Sequence, residues 1–212
     1  CTALTVNAKN NYFGRNLDLE YFYDEKVVVT PRNFSFKFRQ IKEIKTHYAI
    51  IGMATVIDDY PLYYDGANEF GLAMAALYFP DNAYYFDLKE DKENICPFEF
   101  IPWILSSCKT VCEAEKLLKK TNLCNVNFSD DLPLSPLHFI ISDKDESITV
   151  ESTKEGLKIY KNKVGVLTNN PTFDYHMMNL NNYMGLHEGL AANNLCPTEE
   201  LDNYSLGLGA FG

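Results

Sequence analysis

The chain has 212 residues, enough for one domain or a compact pair with a sizeable core. Apolar residues make up 46% and charged residues 23%, an ordinary globular balance, and no apolar run reaches the ~18 residues of a transmembrane helix. A net charge of −10 argues against nucleic acid or an anionic membrane as partner, and an anionic small substrate needs local cations or a large apolar contact.

Cys1 carries a thiol and an α-amine on one Cα. The thiolate is the nucleophilic form, and an amine with a pKa near ~8 can take the thiol proton at neutral pH. Cys1 therefore reads first as the nucleophile of an N-terminal-nucleophile hydrolase. Three other readings stand beside it: an ordinary small residue at an arbitrary boundary, a lipidated first residue, and a disulfide partner. Cys1 to Ala8 alternates, with Thr2, Leu4 and Val6 on one face and Cys1, Ala3 and Thr5 on the other, which is no flexible lipoprotein tether. The six cysteines (Cys1, Cys96, Cys108, Cys112, Cys124, Cys196) include no CxxC pair and the four histidines are dispersed. Reduced thiols in a cytoplasmic protein, with no metal and no cofactor, are expected.

Asn10-Asn11 signals a turn, and a returning strand over Tyr12–Asp18 brings Arg15 and Asp18 back to Cys1. Residues three apart in a strand face opposite ways, so both serve one site only if the chain bends, and Gly14 is the candidate. Strands are expected at Lys26–Thr30, Ser35–Arg39 and Tyr48–Val56, the last buried on both faces. Asp58–Pro61 reads as a loop, and Gly71–Tyr78 as an apolar strand whose alanines admit a close neighbouring layer. Pro97–Leu105 starts a helix, and Thr110 and Glu113 have capping-box spacing for a second one through Leu118. Asn125–Ser135 is a loop. Strands return at Leu137–Ser142, Ile148–Ser152, Leu157–Tyr160 and Val164–Thr168. Asn169-Asn170-Pro171 is a turn, Asn181–Cys196 is poorly patterned, and Gly207–Gly212 is glycine-rich. This order predicts an α+β fold of helices layered on antiparallel sheet.

Several of these stretches together resemble the choloylglycine hydrolase family of bile salt hydrolases and penicillin V acylases. They are Cys1-Thr2, Phe13-Gly14-Arg15-Asn16-Leu17-Asp18, Asp59-Tyr60-Pro61, Gly71-Leu72, Pro97–Trp103, Leu137-His138 and Leu167–Asp174. The resemblance is collinear over the whole chain. It implies one domain over 1–212 in the four-layer αββα sandwich, with the C-terminal third of the family fold absent, and hydrolysis of a linear amide. It implies Cys1 as nucleophile flanked by Arg15 and Asp18, with an oxyanion hole from the Asn169 side chain and the Tyr78 backbone N–H. It places Leu17, Ile57, Phe128, Leu132 and Leu137 in an apolar substrate pocket, and it implies a bacterial homotetramer.

Three functions follow as expectations. The first is hydrolysis of glycine- or taurine-conjugated bile salts, a small-molecule substrate. The second is an acylase for penicillin V or a related acyl amide, favoured by Tyr78 where bile salt hydrolases usually carry Asn. The third is an inactive remnant, because the family runs roughly a hundred residues further and its missing part carries another catalytic Arg.

Overall fold

A computed structural model describes residues 1–189, 192, 193, 196 and 198–200. The chain forms two compact units, Cys1–Pro171 and Thr172–Gly212. In the second, α3 (Phe173–Asn179) is followed by a 3-10 turn at Leu180–Tyr183. The glycine-rich stretch at the C-terminus lies outside the described residues.

The first unit is built on two antiparallel sheets. The smaller has the order β13-β1-β2, with β1 (Thr2–Asn7), β2 (Asn11–Asn16) and β13 (Val166–Thr168). Its centre is the hairpin expected from the sequence: Thr2 pairs with Asn16 and Ala3 with Arg15, while on the other side Thr2 pairs with Thr168. The ladder runs unbroken through Gly14, opposite Leu4. The expected bend is therefore not at Gly14. The strand simply ends at Asn16, which frees Asp18 from strand alternation.

The larger sheet has the order β12-β11-β10-β7-β6-β4-β3, with β5 also pairing β4. Its strands are β3 (Lys26–Thr30), β4 (Ile50–Ile57), β5 (Tyr60–Tyr63), β6 (Asp65–Asn68), β7 (Ala73–Tyr78), β10 (Leu137–Ser142), β11 (Ser147–Thr153) and β12 (Gly156–Lys161). Two short strands, β8 (Glu93–Ile95) and β9 (Thr121–Leu123), pair in parallel apart from it.

Three expectations need correction. Asp58–Pro61 is not wholly loop: Asp58 and Asp59 both take positive φ (51° and 60°), turning the chain directly into β5. Positive φ at both central residues is the two-residue hairpin solution, and Asp is among the few side chains that tolerate it. Pro61 is accommodated because β5 pairs only β4. Ser35–Arg39 alternates as a strand does, yet only Phe36 finds a bridge partner, Ile44; Phe36 and Phe38 are buried by packing, not by a ladder. Finally, β4 is buried on one face only, with Ile51 half exposed.

The helix layer covers the other face of the large sheet. α1 (Phe100–Ser107) follows a 3-10 turn at Pro97–Glu99 and packs on β6 and β7 with Phe100, Ile101, Trp103, Ile104 and Leu105 buried. α2 (Val111–Leu118) is capped by Thr110, whose hydroxyl accepts the Glu113 N–H. The Glu113 carboxylate takes the Lys109 N–H, one residue earlier than a capping box requires. Residues 1–171 thus supply helix, sheet and sheet.

Side-chain alternation decides what lies between the sheets. Met74, Ala76 and Phe139 belong to the helix-side core. Ala73, Ala75 and Leu77 point the other way, towards the small sheet, as do their register partners Ser142, Ile140 and His138. Ser142 Oγ reaches Thr5 Oγ1 at 3.0 Å and His138 Nε2 reaches the Thr168 carbonyl at 2.7 Å, stitching the two sheets together.

Candidate active site

Cys1 sits one residue beyond the Thr2–Asn16 and Thr2–Thr168 pairs, at the head of the central strand of the small sheet. The alternation that buries Ala3 and turns Thr5 inward gives Cys1 the inner face. Leu17 and Asn169 each follow the last residue paired with Thr2 in its ladder.

The Cys1 α-nitrogen is 3.4 Å from Asp18 Oδ2. That oxygen also accepts from Asn16 Nδ2 at 3.2 Å, and Asn16 Oδ1 takes the Thr2 N–H at 2.6 Å. One side chain therefore fixes the first strand residue and the carboxylate facing the α-amine. Asn16 lies within the Phe13–Asp18 stretch but has no chemistry that singles it out before the geometry is seen.

Arg15 leaves the small sheet inward and crosses to the large one. Its Nη2 donates to the Ala76 carbonyl at 2.7 Å and its Nη1 to Asp65 Oδ2 at 3.3 Å. Only 6% of the side chain is exposed. Burial pulls the guanidinium below the ordinary arginine value, opposed by Asp65 and by the charge of Asp18; a guanidinium nonetheless stays protonated in a protein. Its Nε is buried with no hydrogen-bond partner among the described residues. Asp65 is held in turn by the Met53 N–H on Oδ1 at 3.0 Å. Nothing in the sequence marks Asp65 as a partner of a residue fifty positions away.

Tyr78 closes β7 opposite Leu137. Ala76 N–H donates to Tyr64 O on one side of the strand, and Phe79 N–H to Pro136 O on the other. By that alternation the Tyr78 N–H points to the side where Arg15 holds the Ala76 carbonyl. The Tyr78 ring lies on the helix-side face and is half exposed. Asn169 follows β13, with its Oδ1 buried. Asn170 beside it donates from Nδ2 to the Pro80 carbonyl at 2.8 Å and accepts from Asn82 Nδ2 at 3.1 Å.

The five expected pocket residues divide. Leu17 lines a groove of about 880 Å³ beside Arg15, Asp65, Val27 and Ile51. Ile57, Phe128, Leu132 and Leu137 are not in that lining. Ile57 pairs with Tyr60, whose ring is 6.1 Å from that of Phe128. Phe128 also meets Phe98 edge-on and lies beneath the Arg39 guanidinium at 5.3 Å. Leu132 closes a turn on Ser129, and Leu137 packs on the helix-side core. Among the described residues no group of three or more His, Cys, Asp or Glu side chains could hold a metal ion, and no helix is long and apolar enough to cross a membrane.

A layered α/β/β sandwich with a cysteine at the head of the small sheet's central strand is the arrangement that the sequence resemblance to the linear amide hydrolases implies. Within that class, the model of the linear amide C–N hydrolases, choloylglycine hydrolase family, matches residues 1–212, and the chain belongs to this family. It is 52% identical over 212 residues to a bile salt hydrolase/transferase of Lactiplantibacillus plantarum and covers 65% of that protein's length. It is 40% identical over 216 residues to a conjugated bile acid hydrolase of Lactobacillus gasseri, covering 68% of it. Among solved structures, a conjugated bile acid hydrolase variant from Clostridium perfringens superposes with a TM-score of 0.89 at 39% identity, over 99% of this chain and 65% of that one. A penicillin V acylase from Agrobacterium tumefaciens shares the fold, with a TM-score of 0.71 at 23% identity over 87% of this chain and 57% of that one.

Proposed function

We propose that the full-length protein hydrolyses the amide of glycine- or taurine-conjugated bile salts, with Cys1 as nucleophile. The observation that carries this reading is the Cys1 α-nitrogen 3.4 Å from Asp18, on a strand whose neighbour buries Arg15 beneath it. The names of the similar proteins from Lactiplantibacillus plantarum and Lactobacillus gasseri support the choice of substrate.

In this scheme the α-amine takes the thiol proton and the thiolate attacks the amide carbonyl carbon. The carbonyl electron pair moves onto oxygen, where the Asn169 side-chain amide and the Tyr78 N–H receive it. Collapse of the adduct expels glycine or taurine, which collects the proton from the α-ammonium. Water then cleaves the thioester, releasing the bile acid and restoring the thiol. Asp18 orients the amine, and the Arg15 charge favours the thiolate. Each oxyanion donor is worth roughly 3 kcal/mol in the transition state.

Leu17, Ile57, Phe128, Leu132 and Leu137 are assigned to the steroid. Arg15 beside Leu17 is engaged by Asp65 and the Ala76 carbonyl, and Arg39 over Phe128 donates to the Phe128 carbonyl, so affinity rests on apolar contact. Burying ~300 Å² of steroid contributes on the order of 7 kcal/mol before association costs. We assign the protein to a reducing cytoplasm, consistent with its free thiols, and to a homotetramer on family grounds.

Tyr78 favours the second reading, a penicillin V or related acyl amidase. The test is kcat/KM of the full-length protein on glycocholate, taurocholate, penicillin V and a long-chain acyl amide, with Cys1→Ser as control. Bile salts should lead, and the control should lose far more than tenfold. A higher kcat/KM for penicillin V overturns the substrate, and an active Cys1→Ser overturns the nucleophile. If the intact protein, with its length confirmed by mass, turns over none of the four, the inactive remnant is the correct reading.

A further inference from the structure

We propose that His138 is a positioning residue that holds the two oxyanion donors, Tyr78 N–H and the Asn169 side chain, in register across the two sheets. The inference rests on the roles given to Tyr78 and Asn169 in the preceding reading.

His138 is fully buried on β10, on the face turned to the small sheet. Its Nε2 is 2.7 Å from the Thr168 carbonyl, and a carbonyl only accepts, so Nε2 carries a proton. Its Nδ1 is 3.0 Å from Glu151 Oε1, also fully buried. One proton must lie on that contact, whether on imidazole or on carboxyl, because two lone pairs would otherwise face each other. Glu151 thereby fixes which nitrogen faces Thr168. The ring stacks on Phe79, with centroids 4.2 Å apart and planes 8° from parallel.

The ring stack and the Nε2 hydrogen bond of the imidazole both fall on neighbours of the donors. Phe79 follows Tyr78, and Thr168 precedes Asn169. A shift of β13 against β7 would part the donors, since they belong to different sheets. His138 couples them by a stack on one side and a hydrogen bond on the other, and the Asn170 contacts with Pro80 and Asn82 form a second strap on the surface. A buried polar pair is a costly way to fill core volume, and Ile140 and Leu77 fill the same layer without one. Oxyanion donors act only when held at the position of the developing charge, so a displacement of a few tenths of an ångström falls on the transition state.

The test compares His138→Gln with His138→Asn in the full-length protein, on glycocholate. Glutamine puts its amide nitrogen where Nε2 was and can still donate to Thr168; asparagine puts it where Nδ1 was and cannot. Melting temperature, kcat, KM and the rate of Cys1 alkylation by iodoacetamide are measured on both. His138→Asn should lose at least tenfold in kcat with KM within twofold and alkylation unchanged, and His138→Gln should recover most of kcat. Equal kcat in the two variants, the reverse order, or loss of kcat in step with alkylation overturns the proposal. If His138→Asn does not fold, His138→Phe with Glu151→Gln replaces it and must show the same fall in kcat at constant KM; if His138→Gln does not fold, a kcat of His138→Asn within twofold of the wild type overturns the proposal. A wild-type protein inactive on every amide overturns both this inference and the function it rests on. An active wild type without that order overturns this inference alone.

Discussion

Asn16 and Asp18 are joined by a 3.2 Å hydrogen bond onto the same carboxylate oxygen that faces the Cys1 α-nitrogen. Asn16 spends its other amide atom on the Thr2 N–H, so the start of β1 and the orientation of Asp18 depend on one side chain. Asn16→Ala should lower kcat severalfold with little change in KM, and should cost about 0.5–1.5 kcal/mol of stability for the strand bond it deletes. Asp18→Asn keeps the volume but removes the charge, and should lower kcat about tenfold while leaving stability nearly unchanged. Steady-state kinetics with urea unfolding separate the two; a kcat unaffected by Asp18→Asn would remove the carboxylate from the mechanism.

Asn169→Ala should reduce kcat roughly a hundredfold, with a much smaller effect on KM, because an oxyanion donor acts chiefly in the transition state. A change confined to KM would make Asn169 a binding or turn residue instead. Asn170→Ala provides the contrast: it removes the surface strap to Pro80 and Asn82 but no proposed donor. Its kcat should fall by less than a tenth of that factor.

Much of this geometry was legible because it is local. The alternation from Cys1 to Ala8 and the Asn10-Asn11 turn specify the hairpin, which puts Arg15 opposite Ala3 without reference to any other part of the chain. The illegible parts are those settled at long range. Arg15 is paired by Asp65 and the Ala76 carbonyl, and no periodicity predicts a contact between sheets. Ser35–Arg39 carries a strand's alternation, yet alternation reports a buried face and not a ladder partner. Asp58-Asp59 has the look of a loop because it makes a two-residue turn, too tight to separate β4 from β5. The apolar Tyr48–Val56 run implied cover on both sides, whereas residues 1–171 cover one.

Gly52 is a packing requirement that bears on the site. A Cβ there would lie 2.1 Å from the Asp65 carbonyl oxygen and 2.6 Å from Gly66 Cα, so β6 must move. Gly52→Ala should cost about 1–3 kcal/mol by overpacking. Because Asp65 holds Arg15, kcat should fall as well. Gly14→Ala is the control: its Cβ would meet nothing within 4 Å, although the residue stands next to Arg15. Thermal melts and kcat on both variants decide the matter, and equal effects would show that backbone proximity to Arg15, not the β4–β6 approach, governs the site.

Glu69 gives the chain a stability term with a defined pH window. Its Oε1 accepts from Arg32 Nε at 2.8 Å and from the Ala49 N–H at 3.0 Å, and Oε2 accepts from Arg32 Nη2. Hydrogen bonds from Arg32, then from Ala49, push the carboxyl from 4.5 down to about 2. Between those values the unfolded chain binds a proton that the folded chain does not, so stability rises with pH across this interval. The contribution is complete above about pH 4.5 and is lost as pH falls towards 2. Glu69→Gln cannot titrate, so its urea midpoint should lie below that of the wild type at pH 6, with the gap narrowing steadily from pH 4.5 to 2. The pair is at the surface, so high salt should shrink the gap at pH 6 as well. A gap that stays constant from pH 6 to pH 2 would mean that Glu69 acts through packing and the Ala49 hydrogen bond alone, and that its charge contributes nothing.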